Sequence, residues 1–352
     1  MPDLKILSID GGGTRGVIPA TILNLIFKET NKHPREIFDL LAGTSTGGIL
    51  CTGYSFGIST EEMLSLYLEK SSEIFYDSGW DDLRDGFGKN LGADYSNKKF
   101  KKILEEIFGT KTLGDVREQN SNGKARLMVC SFDLNPEEKN SETDKKPRPI
   151  NFRPKVFHSD FLRDQEVSLV DLCLMTSAGP TYFPIYKDHV DGGVSLNNPA
   201  MAALAYAINK RDDGIKEYRH PDGKEKGLGK EIKDLQIFSL GCGSSNKNYI
   251  PPATIKRKKN GDWGNLQWVK YLPDMLTETN IQASDYYVNQ LLGPEQFKRI
   301  QLYFDTPDAP KLIRGKSLGL DVKRKDLLKA MVEYATIFYE KEKNSILDFL
   351  EV

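Results

Sequence analysis

Cysteine is scarce in this chain: four in 352 residues, at Cys51, Cys130, Cys173 and Cys242. They lie far apart and none forms a Cys-x-x-Cys pair, which argues against a zinc centre. Three sit in apolar runs, the setting of buried free thiols in a reducing compartment. Long hydrophobic runs are also missing. No window reaches the roughly 18 uninterrupted apolar residues of a membrane span. The opening "MPDLKILSID" enters a strand pattern without a basic stretch or apolar leader, so no signal peptide is read there and the expected location is the cytoplasm. Charge of one sign is lacking too. The 49 Lys and Arg balance 50 Asp and Glu, so no global field would gather a nucleic-acid polymer. Histidine, the commonest general base, occurs only four times.

What is present reads as a globular α/β chain with a sizeable core. An apolar stretch, Leu4 to Ile9, predicts a first strand, and an amphipathic helix follows over Val17 to Glu29. "IFDLLAG", Ile37 to Gly43, reads as a second strand, and "TGGILCTGYSF" as a small-residue buried helix. Ser59 and Glu62 form a capping box for a further helix. Later segments predict strands at "ARLMVCSFD", "INFRPKVF", "LQIFSLG" and "RIQLYF". Helices are predicted at "NKKFKKILEEIF", "SLVDLCLMTSAG" and "NNPAMAALAYAINK", and a long one over Arg324 to Leu350. The opening β-α-β-α order is that of a parallel sheet covered by helices. The expected organisation is one domain over 1–352. Its motif-bearing core is about 4–207, and segments 233–352 complete the same unit. Residues 76–95, 137–149 and 210–233 read as loops or surface excursions.

Two glycine-rich turns carry the chemistry. "GTSTG", Gly43 to Gly47, fits Gly-x-Ser-x-Gly between a predicted strand and a predicted helix, the setting of a nucleophile elbow. Its flanking glycines allow a sharp turn that exposes the Ser45 hydroxyl, and the helix start turns N–H groups toward developing negative charge. The first turn, "DGGGTRG", holds Gly11, Gly12, Gly13, Arg15 and Gly16. In a parallel sheet it would lie beside Ser45 on the C-terminal edge. Its bare amides could receive an oxyanion, and Arg15 could add a cation there or beside a phosphate. The same residues formally fit the G-x-G-x-x-G of dinucleotide binding. That reading wants an acidic residue at the tip of the second strand, about 20 residues on. Asp39 falls inside the predicted strand, and the tip carries Ser45 instead.

A serine nucleophile needs a proton acceptor. His33, His158, His189 and His220 all read as solvated surface side chains. "HVDGGVSLNNP" offers another choice: Asp191 ends a short strand and is followed by Gly192 and Gly193, leaving its carboxylate unobstructed. An ordinary Asp-Gly-Gly turn is the plainer reading. His189 would share a face with Asp191 in a regular strand, so a Ser45–His189–Asp191 triad stays open.

"DGGGTRG", "GTSTG" and "DGG", in that order and joined by "TSAGPTYFP" and "FSLGCG", resemble the patatin-like phospholipase family. The resemblance implies a three-layer α/β/α sandwich around a mainly parallel sheet. It also implies a carboxylic ester hydrolase that cleaves acyl esters of phospholipids or other lipids through a Ser–Asp dyad, with no metal or cofactor. Ser45 then matches the nucleophile and Asp191 the general base. Gly11, Gly12, Gly13 and Arg15 match the oxyanion-hole motif. An aspartate is a weak base unless an apolar site raises its pKa, so a partly desolvated pocket is expected.

Such an enzyme meets its substrate at a lipid surface. Lys256, Arg257, Lys258 and Lys259 precede Trp263 and Trp268, a pattern suited to transient contact with an anionic membrane. A solvated loop with Trp268 in the core is the plainer reading. Some bacterial patatin-like proteins act as phospholipases gated by cyclic nucleotides in antiphage defence. A gated effector with such an activator is therefore the alternative to constitutive lipid hydrolysis.

Overall fold

The computed structural model describes residues 2–74, 93–138, 148–149, 151–210, 227–245, 250–257, 261–269 and 271–352. The readings for 76–92, 139–147 and 211–226, with His220, Lys258 and Lys259, lie outside the described residues.

The sheet is built around β1 (Leu4–Ile9), which pairs in parallel with β2 (Leu40–Thr44) on one side and β8 (Leu235–Leu240) on the other. β8 pairs in parallel with β9 (Phe297–Ile300), and β2 with β3 (Arg126–Asp133). Beyond β3, β6 (Arg153–His158) runs antiparallel. The sheet is thus mixed and mostly parallel, in the order β6-β3-β2-β1-β8-β9, with β7 (His189–Asp191) paired to β3 off this path. A separate two-residue pairing, β4 (Glu137–Glu138) with β5 (Arg148–Pro149), closes the excursion after β3.

The apolar residues of the central strands divide between the faces with the two-residue period that strand geometry imposes. Leu7, Ile9, Leu41, Phe238 and Leu240 join one core. Leu4, Ile6, Leu40, Ala42 and Ile237 join the other. The first face is covered by α1 (Val17–Thr30), α3 (Thr46–Phe56), α4 (Thr60–Ile74), α5 (Lys98–Phe108), α6 (Leu113–Gln119), α7 (Leu169–Thr176) and α12 (Lys325–Leu350). The second is covered by α8 (Ala200–Ile208) and the C-terminal end of α11 (Leu272–Leu291). These are the three layers expected of a patatin-like α/β/α fold. Helix ends obey local chemistry. Asn31 closes α1 in the left-handed region, and Ser168 accepts the Asp171 N–H to open α7. At α4 the Glu62 N–H donates to Ser59 Oγ, as a cap requires, but the Glu62 carboxylate accepts the Ser59 hydroxyl.

Some boundaries differ from the sequence reading. Ile37 does not start a strand: Pro34 at the first helical position and a His33–Glu36 capping box make a one-turn helix, α2 (Pro34–Ile37), and β2 begins at Leu40. Asp39 therefore precedes the strand. Its carboxylate accepts the Lys5 N–H at 2.8 Å, at the end of the sheet away from Ser45. The "RIQLYF" strand is shifted toward its N-terminus, to Phe297–Ile300. At α8, Pro199 takes the cap position, while the Asn198 side chain accepts the Ala200 N–H at 3.0 Å.

Phe238 is fully buried between the Phe38 ring, 6.2 Å away and stacked, and Phe349 of α12, 6.3 Å away. It ties the C-terminal third to β2. Phe238→Ala is expected to lower stability by about 3–5 kcal/mol in urea unfolding; a loss under 1 kcal/mol would mean that the two parts are not packed as one core.

Candidate active site

The parallel pairing of β1 with β2 aligns Ile9 with Gly43 and brings the two glycine-rich turns to one sheet edge. Ser45 sits between β2 and α3 with φ 53° and ψ -123°. Such a backbone costs a non-glycine residue about 1–3 kcal/mol. The neighbours make it obligatory. A β-carbon on Gly43 would strike the Gly47 carbonyl, and one on Gly47 would strike the Ile9 carbonyl. The Ser45 N–H donates to Thr176 Oγ1 at 2.8 Å, and Thr176 in turn donates to the Cys130 carbonyl at 2.5 Å. This fixes the elbow to α7 and β3.

Asp191 reaches the serine through strand register. β2 uses one edge of β3 only as far as Cys130, which faces Thr44. From Ser131 onward β7 takes over that edge, antiparallel, with Asp191 opposite Ser131. Asp191 is therefore set just beyond the tip of β2, and Ser45 Oγ donates to Asp191 Oδ2 at 2.6 Å. Asp191 Oδ1 accepts the Gly193 N–H at 2.7 Å. Gly192 has no room for a side chain, because a β-carbon would meet the Cys130 carbonyl. Burial pushes the Asp191 carboxyl up from 3.8 to about 6, against the opposing pull of the Ser45 and Gly193 hydrogen bonds.

No histidine stands between the two. The His189 Nδ1 contacts the Lys187 carbonyl at 2.6 Å, and its ring packs on Phe157. The picture of solvated histidines also fails elsewhere. His33 caps α2 and its Nε2 lies 2.9 Å from the Ile58 carbonyl. His158 is fully buried, with burial pulling it down to about 4.

The first turn does not offer all three glycine amides. Gly11 N–H is spent on the Asn197 carbonyl at 3.0 Å. Its lack of a side chain serves close approach instead, since a β-carbon there would strike Asn197 Oδ1 and lie 3.2 Å from Ser45 Cβ. The N–H groups of Gly12 and Gly13 make no hydrogen bond among the described residues. Gly13 has φ +57°, the left-handed region natural to glycine, and leaves no space beside the Leu320 carbonyl. Arg15 does not line the cavity. Its Nε reaches back to the Gly12 carbonyl at 3.4 Å, so it braces the turn. Gly16 admits Thr46 and Tyr67 against the start of α1.

Ser45, Asp191 and Gly11–Gly13 border a cavity of about 290 Å³. Ile49, Leu66, Ile74, Phe100 and Phe183 make its body apolar, and Leu276 stands on its α11 side. The arrangement can move a proton from a hydroxyl to a carboxylate, receive an oxyanion on two amides, and hold a hydrocarbon chain. Sequence reasoning missed Thr176, Asn197 and the Leu320 carbonyl. Only "TSAGP" and the doubled asparagine of "NNP" hinted at the first two. Among the described residues, no group of three or more His, Cys, Asp or Glu side chains could hold a metal ion, and all four cysteines are free and buried.

The family model described as "Patatin-like phospholipase" matches residues 7–204. "Patatin-like protein 2" of Oryza sativa subsp. indica is 25% identical over 96% of this chain and 84% of its own length. "Patatin-2-Kuras 3" of Solanum tuberosum is 26% identical over 81% of this chain and 72% of its own. Among solved structures, VipD from Legionella pneumophila aligns over 94% of this chain and 67% of its own, at 13% identity and a TM-score of 0.37.

The raised Asp191 pKa has a direct readout. Burial raises the Asp10 carboxyl to about 6 as well, so carbon-13 NMR of labelled aspartate should show two carboxyls titrating near pH 6, of which Asp191→Asn removes one. A midpoint near 4 for this carboxyl would contradict the desolvated site.

Proposed function

Because the chain belongs to the patatin-like phospholipase family, we propose that it is a lipid acyl hydrolase in which Ser45 is the nucleophile and Asp191 the general base. The supporting observation is the 2.6 Å bond from Ser45 Oγ to Asp191 Oδ2 inside an apolar cavity beside two unpaired amides.

Ser45 Oγ attacks the acyl carbonyl while its proton passes to Asp191. The carbonyl oxygen, now negative, takes hydrogen bonds from the Gly12 and Gly13 amides and the start of α3. The tetrahedral intermediate collapses, the alcohol leaves with the proton held by Asp191, and the acyl group stays on Ser45. Water then attacks the acyl-enzyme, giving its proton to Asp191, which returns it to Ser45 as the fatty acid departs. The apolar walls serve twice: they take the hydrocarbon chain out of water, and they raise Asp191 into the range of a useful base.

A lipid surface is the proposed source of substrate. Val269, Leu272 and Leu276 line the cavity and are also exposed. Alongside them α10 (Asn265–Trp268) presents Leu266, 87% exposed, and Trp268, 39% exposed rather than in a core. Met275 of α11 is exposed as well. This apolar rim is continuous with the cavity wall, and α9 (Pro252–Arg257) brings Lys256 before it in the chain. Apolar side chains beside cations suit an anionic bilayer. Among the described residues, no helix is long and apolar enough to cross a membrane.

Ser45→Ala and Asp191→Asn should each lower turnover of a p-nitrophenyl ester by at least about a thousandfold with the fold retained. Full activity in either would overturn the assignment. Asp191 must be ionised to accept the proton, so wild-type kcat/KM should fall about tenfold per unit as pH drops below about 6 and level off above it. A profile flat to pH 4 would exclude Asp191 as the base. For the rim, Leu266→Asp with Met275→Asp should abolish flotation with phosphatidylglycerol vesicles while soluble-ester turnover persists. Unchanged flotation would remove the rim from the account.

A further inference from the structure

The turn that bears the Gly12 and Gly13 amides is held in large part from outside the region matched by the family model. Asp10 N–H donates to the Leu240 carbonyl at 3.0 Å, and Cys242 Sγ contacts the Asp10 carbonyl at 3.3 Å. Leu320 accepts the Thr14 N–H at 2.8 Å. The strongest tie is ionic. Arg299, on β9, grips Asp10 with both ends of its guanidinium: Nη1 to Oδ1 at 2.9 Å and Nη2 to Oδ2 at 2.5 Å. The Asp10 side chain is 1% exposed and that of Arg299 12%.

The same guanidinium reaches a second arm of the site. Its Nε lies 3.3 Å from Asp285 of α11, and Asp285 accepts the Asn198 side chain at 2.7 Å. Asn198, whose side chain accepts the Ala200 N–H at the start of α8, follows the turn that descends from Asp191. Nη1 also donates to Ser239 on β8 at 2.9 Å. The two arms meet again where Gly11 N–H binds the Asn197 carbonyl. Among the described residues, Arg299 is thus the cation joining the strand end that carries the amides to the turn that follows the carboxylate. A planar fork with five donors makes this geometry, and a lysine cannot reproduce it. Burial lowers the pKa of Arg299, but the Asp10 and Asp285 carboxylates more than offset this, and it stays charged.

We infer that Arg299 is a positioning residue for the hydrolytic site: it touches no substrate, and it holds the Gly12 and Gly13 amides in register with Ser45 and Asp191 by clamping Asp10. This rests on the reading of Ser45 as the nucleophile. Displacing a catalytic group by about 1 Å can cost about a hundredfold in rate. The loss should appear in kcat, because the apolar body of the cavity is built by Ile49, Leu66, Ile74, Phe100 and Phe183, on elements that the guanidinium does not touch.

The test compares wild type with Arg299→Lys, Arg299→Gln and the uncharged pair Asp10→Asn/Arg299→Gln. The pair guards against misfolding, since neither member of the Asp10–Arg299 ion pair is left buried alone and Asp285 keeps its bond from the Asn198 side chain. Melting temperature, steady-state hydrolysis of p-nitrophenyl butyrate, and hydrogen exchange of peptides spanning residues 9–14 and 192–198 are measured on each. In folded variants, including Arg299→Lys, kcat should fall about tenfold to a hundredfold with KM within about twofold. Exchange should quicken in 9–14 while distant helices keep their protection. Wild-type kcat together with unchanged exchange in any folded variant would overturn the inference. A loss confined to melting temperature would also overturn it, by reducing Arg299 to a stabilising ion pair. A wild type that is inert to esters would instead defeat the hydrolase reading, and the exchange arm would still decide whether Arg299 orders the turn.

Discussion

The handover on one edge of β3 is the constraint from which the site follows. Five residues of β3 face β2, and the next three face β7, so two segments about 150 positions apart share a single line of hydrogen bonds. Backbone pairing fixes their spacing to within a fraction of an ångström, because each strand must place its N–H and C=O groups opposite partners. A one-residue slip of β7 would turn Asp191 to the other face of the sheet. The short bond between the hydroxyl of Ser45 and the carboxylate of Asp191 is the consequence of that register.

The electrostatics follow from where the edge lies. The cavity beside it is apolar, so the carboxylate loses hydration on folding and its proton affinity rises. Two hydrogen bonds, from Ser45 and Gly193, keep the rise modest. The result is a carboxylate raised to about 6, without a histidine. The walls that produce this shift are the walls on which a hydrocarbon chain would lie. The strained backbone at Ser45 is paid for by the close packing of Gly43 and Gly47 against neighbouring carbonyls.

The last third of the chain is part of this machinery. β8 and β9 extend the sheet on the far side of β1. Their loops and side chains, with the Leu320 carbonyl, enclose the first glycine turn. α11 contributes on two sides, lining the cavity mouth with Leu272 and Leu276 and reaching Arg299 through Asp285. One helix thus links the exposed apolar rim to the polar hub behind the amides.

Much of the first turn and the elbow was legible in the residues alone. Gly-x-Ser-x-Gly between a strand and a helix determined Ser45 at the tip of β2, though it is buried against the cavity rather than exposed, and the apolar runs of β1, β2 and β8 determined a sheet buried on both faces. These are local consequences of backbone sterics and side-chain period. Histidines were misread because burial is set by neighbours distant in the chain: nothing near His158 indicates that the Tyr206 ring packs against it, tilted, at 4.2 Å. The choice between a triad through His189 and a direct Ser–Asp bond was likewise closed to local reading, and so was the loss of the Gly11 amide to Asn197. Local pattern determined which groups could act. Only the tertiary register decided which of them meet, because hydrogen-bond partners far apart in sequence are selected by packing rather than by spacing.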